Sequence, residues 1–143
     1  MLESQLESIK AIAPNKYHGD IQALSFKIIL KGLAKLGLVK GDVEELFKNR
    51  VHFTFMPHSL SHYIGFKVHD VGFQRKIRDD PEGKFNPETY KGYTPVTRDL
   101  LYPGVVLTIE PGLYFIPALI EKAKADEEKK KFWKVTPGII RNF

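Results

Sequence analysis

Three histidines lie close together in one apolar segment of the chain. His58, His62 and His69 fall within residues 53–73, which read FTFMPHSLSHYIGFKVHDVGF, and the whole sequence contains only five histidines. An unpaired polar group in apolar surroundings costs roughly 2–7 kcal/mol, so these rings need hydrogen-bond partners or a metal ion. The segment is therefore either a structural core with satisfied histidines or the floor of a metal-dependent site.

The spacing of the histidines bears on which side chains face each other. Four-residue spacing would place His58 and His62 on one face of a helix, but Pro57, Gly65 and the aromatic residues around them favour an extended chain. On a regular strand His62 and His69 would point to opposite faces, because seven is an odd number. A β-bulge at Gly65 is expected to return them to the same side.

A carboxylate in a second segment is the other candidate for chemistry. Glu110 lies in residues 108–114, TIEPGLY, where Pro111 restricts it to an extended conformation and the Pro-Gly pair turns the chain. A carboxylate at the end of a buried strand requires a cation or hydrogen-bond donors. The alternative is a glutamate at the rim that faces water, as most glutamates do.

Helices are predicted for the first third of the chain. Apolar residues at helical spacing predict a first helix over residues 1–13 that ends at Pro14. Asp20 is the predicted N-cap of a second helix, which Gly37 closes in a left-handed conformation. Asp42 has the spacing of a capping box with Glu45 and starts a third helix that ends near residue 50.

Strands and a long loop are predicted for the middle of the chain. β-branched and aromatic residues punctuated by glycine and proline predict strands from Val51 to about Phe115, including a buried strand over residues 105–110. The turn-rich residues 74–100 are expected to form a surface loop. Residues 120–133 are predicted to form a charged, solvated helix.

Composition limits the classes of protein. The chain has 143 residues, 43% apolar content, no cysteine and a net charge of +5, and no apolar run approaches the ~20 residues of a transmembrane helix. These values predict one soluble domain in a reducing, cytoplasmic location, without a membrane partner. The basic residues are interleaved with acidic ones, which argues against a nucleic-acid partner.

The two histidine and glutamate segments together resemble a known family. FMPHSLSHYIGFKVHDVGF followed by PGVVLTIEPGLYF is similar to the C-terminal half of the pita-bread metallopeptidases: Xaa-Pro dipeptidase (prolidase), aminopeptidase P and methionine aminopeptidase. Prolidase is the most similar in this comparison. The resemblance implies an α+β fold, a partial pita-bread (creatinase/aminopeptidase) fold in which helices back a curved antiparallel sheet, with residues 1–143 forming an incomplete C-terminal catalytic domain.

The resemblance also implies roles for individual residues. His62 matches a metal-ligand histidine and Glu110 the first of two ligand glutamates, both on one ion. His69 matches the histidine near the scissile carbonyl, and His58 one that lines the substrate pocket. The complete family site holds two divalent ions, manganese foremost, with cobalt or zinc as alternatives. The implied reaction is the hydrolysis of dipeptides that end in proline, by a protein that forms homodimers.

Departures from the family pattern lead to further expectations. Two ligand aspartates would precede Met1 and a second ligand glutamate would follow Phe143, so three of five ligands are absent and the chain is expected to be truncated at both ends. This chain is therefore expected to bind at most one ion, weakly, and to be inactive alone. The family's HGLGH is replaced by His58-Ser59-Leu60-Ser61-His62. If a glycine there adopts positive φ, serine would cost roughly 1–2 kcal/mol.

Three functional hypotheses follow from these observations. The first is a segment of a prolidase-like metallopeptidase whose dinuclear site is completed by residues outside the chain. The second is a catalytically inactive pita-bread remnant that serves as a binding or interaction module. The third is a basic nucleic-acid-binding domain, which rests on charge alone and lacks a recognition motif.

Overall fold

The computed structural model describes residues 1–70 and 100–133, which divide into two compact units. Within the described residues, unit 1 comprises residues 1, 26–58 and 112–133, and unit 2 comprises residues 2–25, 59–70 and 100–111. The helices are α1 (Leu2–Ala11), α2 (His18–Lys35), α3 (Val43–Lys48) and α4 (Pro117–Ala125), with 3₁₀ turns at Val51–Thr54 and Lys130–Phe132.

The helices predicted for the first third of the chain are confirmed, with one corrected boundary. α2 begins at His18 rather than after Asp20, because the Asp20 N–H already donates to the Tyr17 carbonyl at 3.1 Å within the first turn. Gly37 closes α2 with φ of +74°, a conformation that suits glycine. The Asp42 side chain accepts hydrogen bonds from the backbone of Glu44 and Glu45 and so caps α3.

Aromatic rings form the core of unit 1 around a buried histidine. The fully buried ring of His52 packs against Phe26 with centroids 4.3 Å apart and stacks on Phe47 at 5.0 Å. Burial, together with the smaller effect of the charges of Arg50 and Lys129, lowers the pKa of His52 to about 3. The ring is therefore neutral at physiological pH and behaves as part of the aromatic core.

The prediction of strands from Val51 onward is not confirmed in the described residues, which contain no regular strand. Residues 51–54 instead form a 3₁₀ turn, in which the Phe55 N–H donates to the His52 carbonyl at 3.0 Å. β-branched and aromatic residues fit a half-buried sheet surface, but here the same side chains fill the core of unit 1. Tertiary packing therefore outweighs the local preference for strand.

An extended antiparallel pair remains in unit 2, between residues 60–64 and 106–110. Its backbone bonds run from Ile64 N–H to the Val106 carbonyl (3.1 Å), from Thr108 N–H to the His62 carbonyl (3.0 Å) and from Glu110 N–H to the Leu60 carbonyl (2.9 Å). The two backbone bonds that would run in the opposite direction, from residues 60 and 62, are replaced by hydrogen bonds to side chains. The His62 N–H donates to Thr108 Oγ1 at 3.1 Å, and the Leu60 N–H donates to the Gln22 side chain at 3.0 Å. Side-chain acceptors thus interrupt the ladder.

Two further predictions differ from the structure, and a third lies almost entirely outside the described residues. The segment 105–110 is not a buried strand, since Val106 is 60% exposed. In place of one helix over residues 120–133, α4 ends at Ala125, because the Asp126 side chain accepts the N–H groups of Glu128 and Lys129 and turns the chain. Most of the predicted loop, residues 74–99, lies outside the described residues.

Helix α1 packs with its polar side inward. Ser4 and Ser8 are fully buried, and the Ser4 hydroxyl lies 2.8 Å from that of Ser25 on α2. The apolar residues of α1 face outward instead, with Leu2 68%, Leu6 45% and Ile9 49% exposed. These three residues, which we call the α1 stripe, are spaced four and three residues apart and so share one helix face.

Among the described residues, none of the helices combines the length and the apolar content that crossing a membrane requires.

We expect the α1 stripe to cause self-association of the purified chain. Leu30 and Leu33 of α2 are buried, whereas the three residues of the α1 stripe share one exposed helix face that a second molecule can cover. Sedimentation at micromolar concentration is expected to show oligomers in the wild type and a shift toward monomer in Leu6→Glu. Glu3→Gln, on an exposed side of α1, serves as the control. A monomeric wild type would contradict this expectation.

Candidate metal centre

The extended pair of unit 2 brings His62 and Glu110 together. The three backbone bonds place His62 opposite Thr108, so Glu110 is its diagonal neighbour on the same face of the pair. His62 Nε2 lies 3.0 Å from Glu110 Oε1. Two residues that are 48 positions apart in sequence therefore meet through the register of a short antiparallel pair.

The second ring nitrogen of His62 is held by the backbone. Nδ1 lies 3.0 Å from the Tyr63 carbonyl oxygen, an arrangement in which Nδ1–H donates. Nε2 then faces the Glu110 carboxylate at 3.0 Å, a separation that requires a proton or a metal ion between the two atoms. Such a bond from the far nitrogen to a carbonyl is typical of histidines that ligate metals, because it fixes the tautomer and the ring orientation.

Glu110 has donors on one side and water on the other. Its side chain is 51% exposed, and the Thr108 hydroxyl donates to Oε1 at 2.7 Å. The exposure agrees with the alternative of a glutamate at the rim, but the two partners show that the carboxylate is oriented. No role for Thr108 was predicted from the sequence. Its position two residues before Glu110 in an extended segment was a usable signal, since such residues share one face.

His69 reaches His62 through a reversal of the chain rather than a bulge. The two rings meet edge to face with centroids 4.3 Å apart. The reversal is closed by a hydrogen bond from the Asp70 N–H to the Tyr63 carbonyl at 3.1 Å. A Cβ at Gly65 would overlap the Asp70 carboxylate, so a larger residue there would require this side chain to move. The predicted bulge at Gly65 is therefore wrong, although the two rings do lie on the same side.

His58 belongs to unit 1, where it pairs with a tyrosine. Its Nε2 lies 3.0 Å from the Tyr114 hydroxyl, and the rings are T-shaped at 5.3 Å. The Tyr114 N–H donates to the Phe55 carbonyl at 2.7 Å, which anchors the tyrosine to the segment before His58. Sequence reasoning did not pair Tyr114 with His58, because their separation of 56 residues gives no periodic signal.

The two serines of the histidine motif are not strained. Among the described residues other than glycine, only Asn15 and Arg50 have positive φ, so neither Ser59 nor Ser61 carries the cost that the glycine comparison suggested. Ser61 is buried, and its hydroxyl forms a hydrogen bond with Nε2 of His18 on α2. Burial lowers the pKa of His18 to about 4, so its ring is neutral at physiological pH.

The number of metal donors in the described residues is small. Among residues 1–70 and 100–133, no group of three or more His, Cys, Asp or Glu side chains is placed to hold an ion. His62 supplies one nitrogen donor and Glu110 one oxygen donor. The Glu110 carboxylate is exposed to solvent. Mixed nitrogen and carboxylate ligation suits zinc, manganese and related divalent ions.

The chain belongs to metallopeptidase family M24, whose family model matches residues 1–139. This confirms the family-level resemblance drawn from the histidine and glutamate motifs. It also supports an enzyme family as the origin of the chain, ahead of a nucleic-acid-binding domain.

Relatives and solved structures agree with this assignment. The chain is 36% identical over 132 residues to proteins described as probable Xaa-Pro aminopeptidases of Pyrenophora teres f. teres and Aspergillus niger, covering 92% of this chain and 27% of each relative. Zinc-substituted Escherichia coli aminopeptidase P with product is similar at a TM-score of 0.63 and 36% identity, covering 81% of this chain and 22% of that one. Pseudomonas aeruginosa aminopeptidase PepP matches at 0.63 and 31% over the same shares.

These comparisons confirm the pita-bread class of fold and leave the sheet details as expectations. The relatives are called Xaa-Pro aminopeptidases, so they support the family without supporting prolidase in particular. The chain spans about a quarter of the length of the curated relatives it matches.

Proposed function

We propose that this chain is part of the catalytic domain of a divalent-metal Xaa-Pro peptidase, of the aminopeptidase type rather than the dipeptidase type. The observation that carries the proposal is the pairing of His62 Nε2 with Glu110 Oε1 at 3.0 Å in a chain of family M24. The names of the relatives favour aminopeptidase specificity, and the substrate class is then a peptide with proline in its second position.

The donor pair offers one nitrogen and one oxygen ligand side by side. His62 Nε2 and Glu110 Oε1 are 3.0 Å apart, close enough for both to bind one ion. Nδ1 is occupied by the Tyr63 carbonyl, which leaves Nε2 as the ligating nitrogen. The residues present therefore fit a divalent ion, with zinc and manganese as the first choices.

The protein groups around the pair hold the ligands in place. The Thr108 hydroxyl orients Glu110, and the backbone of the extended pair sets the register that makes His62 its neighbour. When bound, divalent ions in such sites lower the pKa of a water molecule and stabilise the negative charge that develops on the scissile carbonyl oxygen. Residues outside the described part of the chain would have to complete the ligand set.

Two further histidines receive roles on the substrate side. His69 is exposed next to His62 and is assigned to the scissile carbonyl region. His58 is assigned to the wall of the substrate pocket, with its ring oriented by the Tyr114 hydroxyl. We place the protein in the cytoplasm because the sequence has no cysteine, and propose a homodimer for the protein that carries the complete site.

Metal binding by the chain itself tests the proposal. Calorimetric titration with Zn²⁺ at pH 7.5 is expected to show one weak site, because two protein ligands leave the other coordination positions to water. His62→Ala and Glu110→Gln are each expected to lower the affinity at least tenfold. Glu121→Gln, in a surface ion pair with Lys124, is the control and is expected to bind as the wild type does.

The outcome separates the two main hypotheses. A site that survives both His62→Ala and Glu110→Gln would show that the ligand assignment is wrong. A wild type that binds no Zn²⁺ would favour an inactive remnant that serves as an interaction module.

A further inference from the structure

Two buried polar side chains of α2 contact the residues directly before His62. Gln22 and His18 are four positions apart and so lie on one face of the helix, and each is only 1% exposed. Gln22 Oε1 accepts the Leu60 N–H at 3.0 Å, and His18 Nε2 pairs with the Ser61 hydroxyl. All four residues belong to unit 2.

These contacts connect α2 to both residues of the candidate metal pair. The Leu60 N–H is held by Gln22, while the Leu60 carbonyl accepts the N–H of Glu110 at 2.9 Å. Ser61, held by His18, is followed directly by His62. One face of α2 thus fixes the backbone on which His62 is carried and, through one further hydrogen bond, the backbone of Glu110.

The burial of these groups makes their replacement by water costly. A buried backbone N–H that loses its acceptor costs about 1–3 kcal/mol, so Leu60 remains bonded to Gln22 rather than fluctuating between partners. Ser61 is 3% exposed, and its hydroxyl likewise has its partner inside the protein. Removal of a group that hydrogen-bonds a metal ligand typically lowers the metal affinity by about 10–100-fold.

We infer that His18 and Gln22 are positioning residues, which hold the segment 60–61 so that the imidazole of His62 keeps the rotamer that meets Glu110. This inference rests on the proposed function for its metal readout. It has a second readout that does not depend on metal, namely the side-chain order of His62.

Two variants remove these contacts with small changes in volume. Ser61→Ala removes the hydroxyl that His18 bonds, and Gln22→Met removes the acceptor of the Leu60 N–H while keeping an unbranched side chain. Ser8→Ala is the matched control: Ser8 is a fully buried serine of the same unit whose hydroxyl has no hydrogen-bond partner among the described residues. Circular dichroism confirms that each variant is folded before it is compared.

The experiment measures His62 χ1 and Zn²⁺ affinity in the same samples. Three-bond NMR couplings are expected to show one χ1 rotamer of His62 in the wild type and in Ser8→Ala, and averaging in Ser61→Ala and Gln22→Met. The Zn²⁺ dissociation constant is expected to rise at least tenfold in the latter two only. A single rotamer and unchanged affinity in both folded variants would overturn the inference. If the wild type binds no Zn²⁺, the proposed function fails, and the χ1 couplings still decide the inference.

Discussion

No turnover of Xaa-Pro peptides is expected from the purified 143-residue chain, even with added Mn²⁺. Dinuclear hydrolysis needs two ions in fixed positions relative to the scissile bond. The described residues offer one donor pair, His62 and Glu110, and no group of three or more metal-binding side chains. The assay compares the release of glycine from Gly-Pro and from a Gly-Pro-Leu tripeptide, with and without Mn²⁺.

The control for this assay is the His62→Ala variant. Activity that is equal in wild type and His62→Ala would come from a contaminating peptidase and would leave the expectation intact. Activity of the wild type that His62→Ala abolishes would contradict the account, because it would show that the chain holds a working site. In that case a preference for the tripeptide would support aminopeptidase specificity, and a preference for Gly-Pro would support prolidase.

Acid is expected to unfold the chain between pH 6.5 and pH 4. Two buried histidines have lowered pKa values in the folded state, about 3 for His52 and about 4 for His18, against the ordinary value of 6.5. In each case burial is the first cause. The unfolded chain therefore binds protons on both rings as the pH falls through 6.5, while the folded chain does not, and the free energy of unfolding decreases.

The size of this effect is comparable to the stability of a small domain. One pKa unit corresponds to about 1.4 kcal/mol, so the two shifts together remove on the order of 5–10 kcal/mol by pH 4, against a typical total of about 5–15 kcal/mol. The contribution of the two neutral rings to the free energy of unfolding is expected to be fully present above pH 6.5. Between the folded and unfolded pKa values, the two rings together contribute a slope of about 2.7 kcal/mol per pH unit.

Urea unfolding at pH 7, 6 and 5 measures this slope. In His52→Phe, which keeps an aromatic ring between Phe26 and Phe47, the slope between pH 6 and pH 5 is expected to fall by about 1.4 kcal/mol per pH unit. Equal slopes in the wild type and in His52→Phe would contradict the lowered pKa of His52. The measurement needs no metal and is independent of the proposed function.

The features that could be predicted from sequence are those set by local rules. The Asp42 cap and the left-handed Gly37 follow from the backbone needs of a helix end, and both occur where the sequence placed them. The start of α2 was misplaced by three residues, because Asp20 favours an N-cap in isolation but lies within a turn already closed by Tyr17. Boundaries of this kind depend on one hydrogen bond that composition does not reveal.

The strand prediction failed where side chains compete with the backbone. Residues 60–64 and 106–110 do pair as an extended segment, yet Thr108 and Gln22 take the N–H groups that a regular ladder would use. The same competition creates the contacts that orient the candidate ligands. A resemblance of motifs identified His62 and Glu110, but the hydrogen bonds that hold them come from residues far away in sequence or from a hydroxyl to which no role was assigned.

The outward-facing apolar residues of α1 were also beyond sequence reasoning. Helical periodicity normally identifies the buried face, and Leu2, Leu6 and Ile9 have that spacing. In the structure the buried positions are Ser4 and Ser8, which pack where space is narrow, as the contact between the hydroxyls of Ser4 and Ser25 shows. Periodicity thus located a helix face correctly, but this face is exposed rather than buried.

Paramagnetic NMR with Mn²⁺ tests most directly whether His62 and Glu110 hold one ion. Substoichiometric Mn²⁺ is expected to broaden the amide signals of His62, Thr108 and Glu110 first, because paramagnetic broadening falls steeply with distance from the ion. The same titration of His62→Ala is expected to leave those signals sharp. Broadening centred on other acidic residues, or unchanged broadening in His62→Ala, would contradict the assignment of the candidate metal centre.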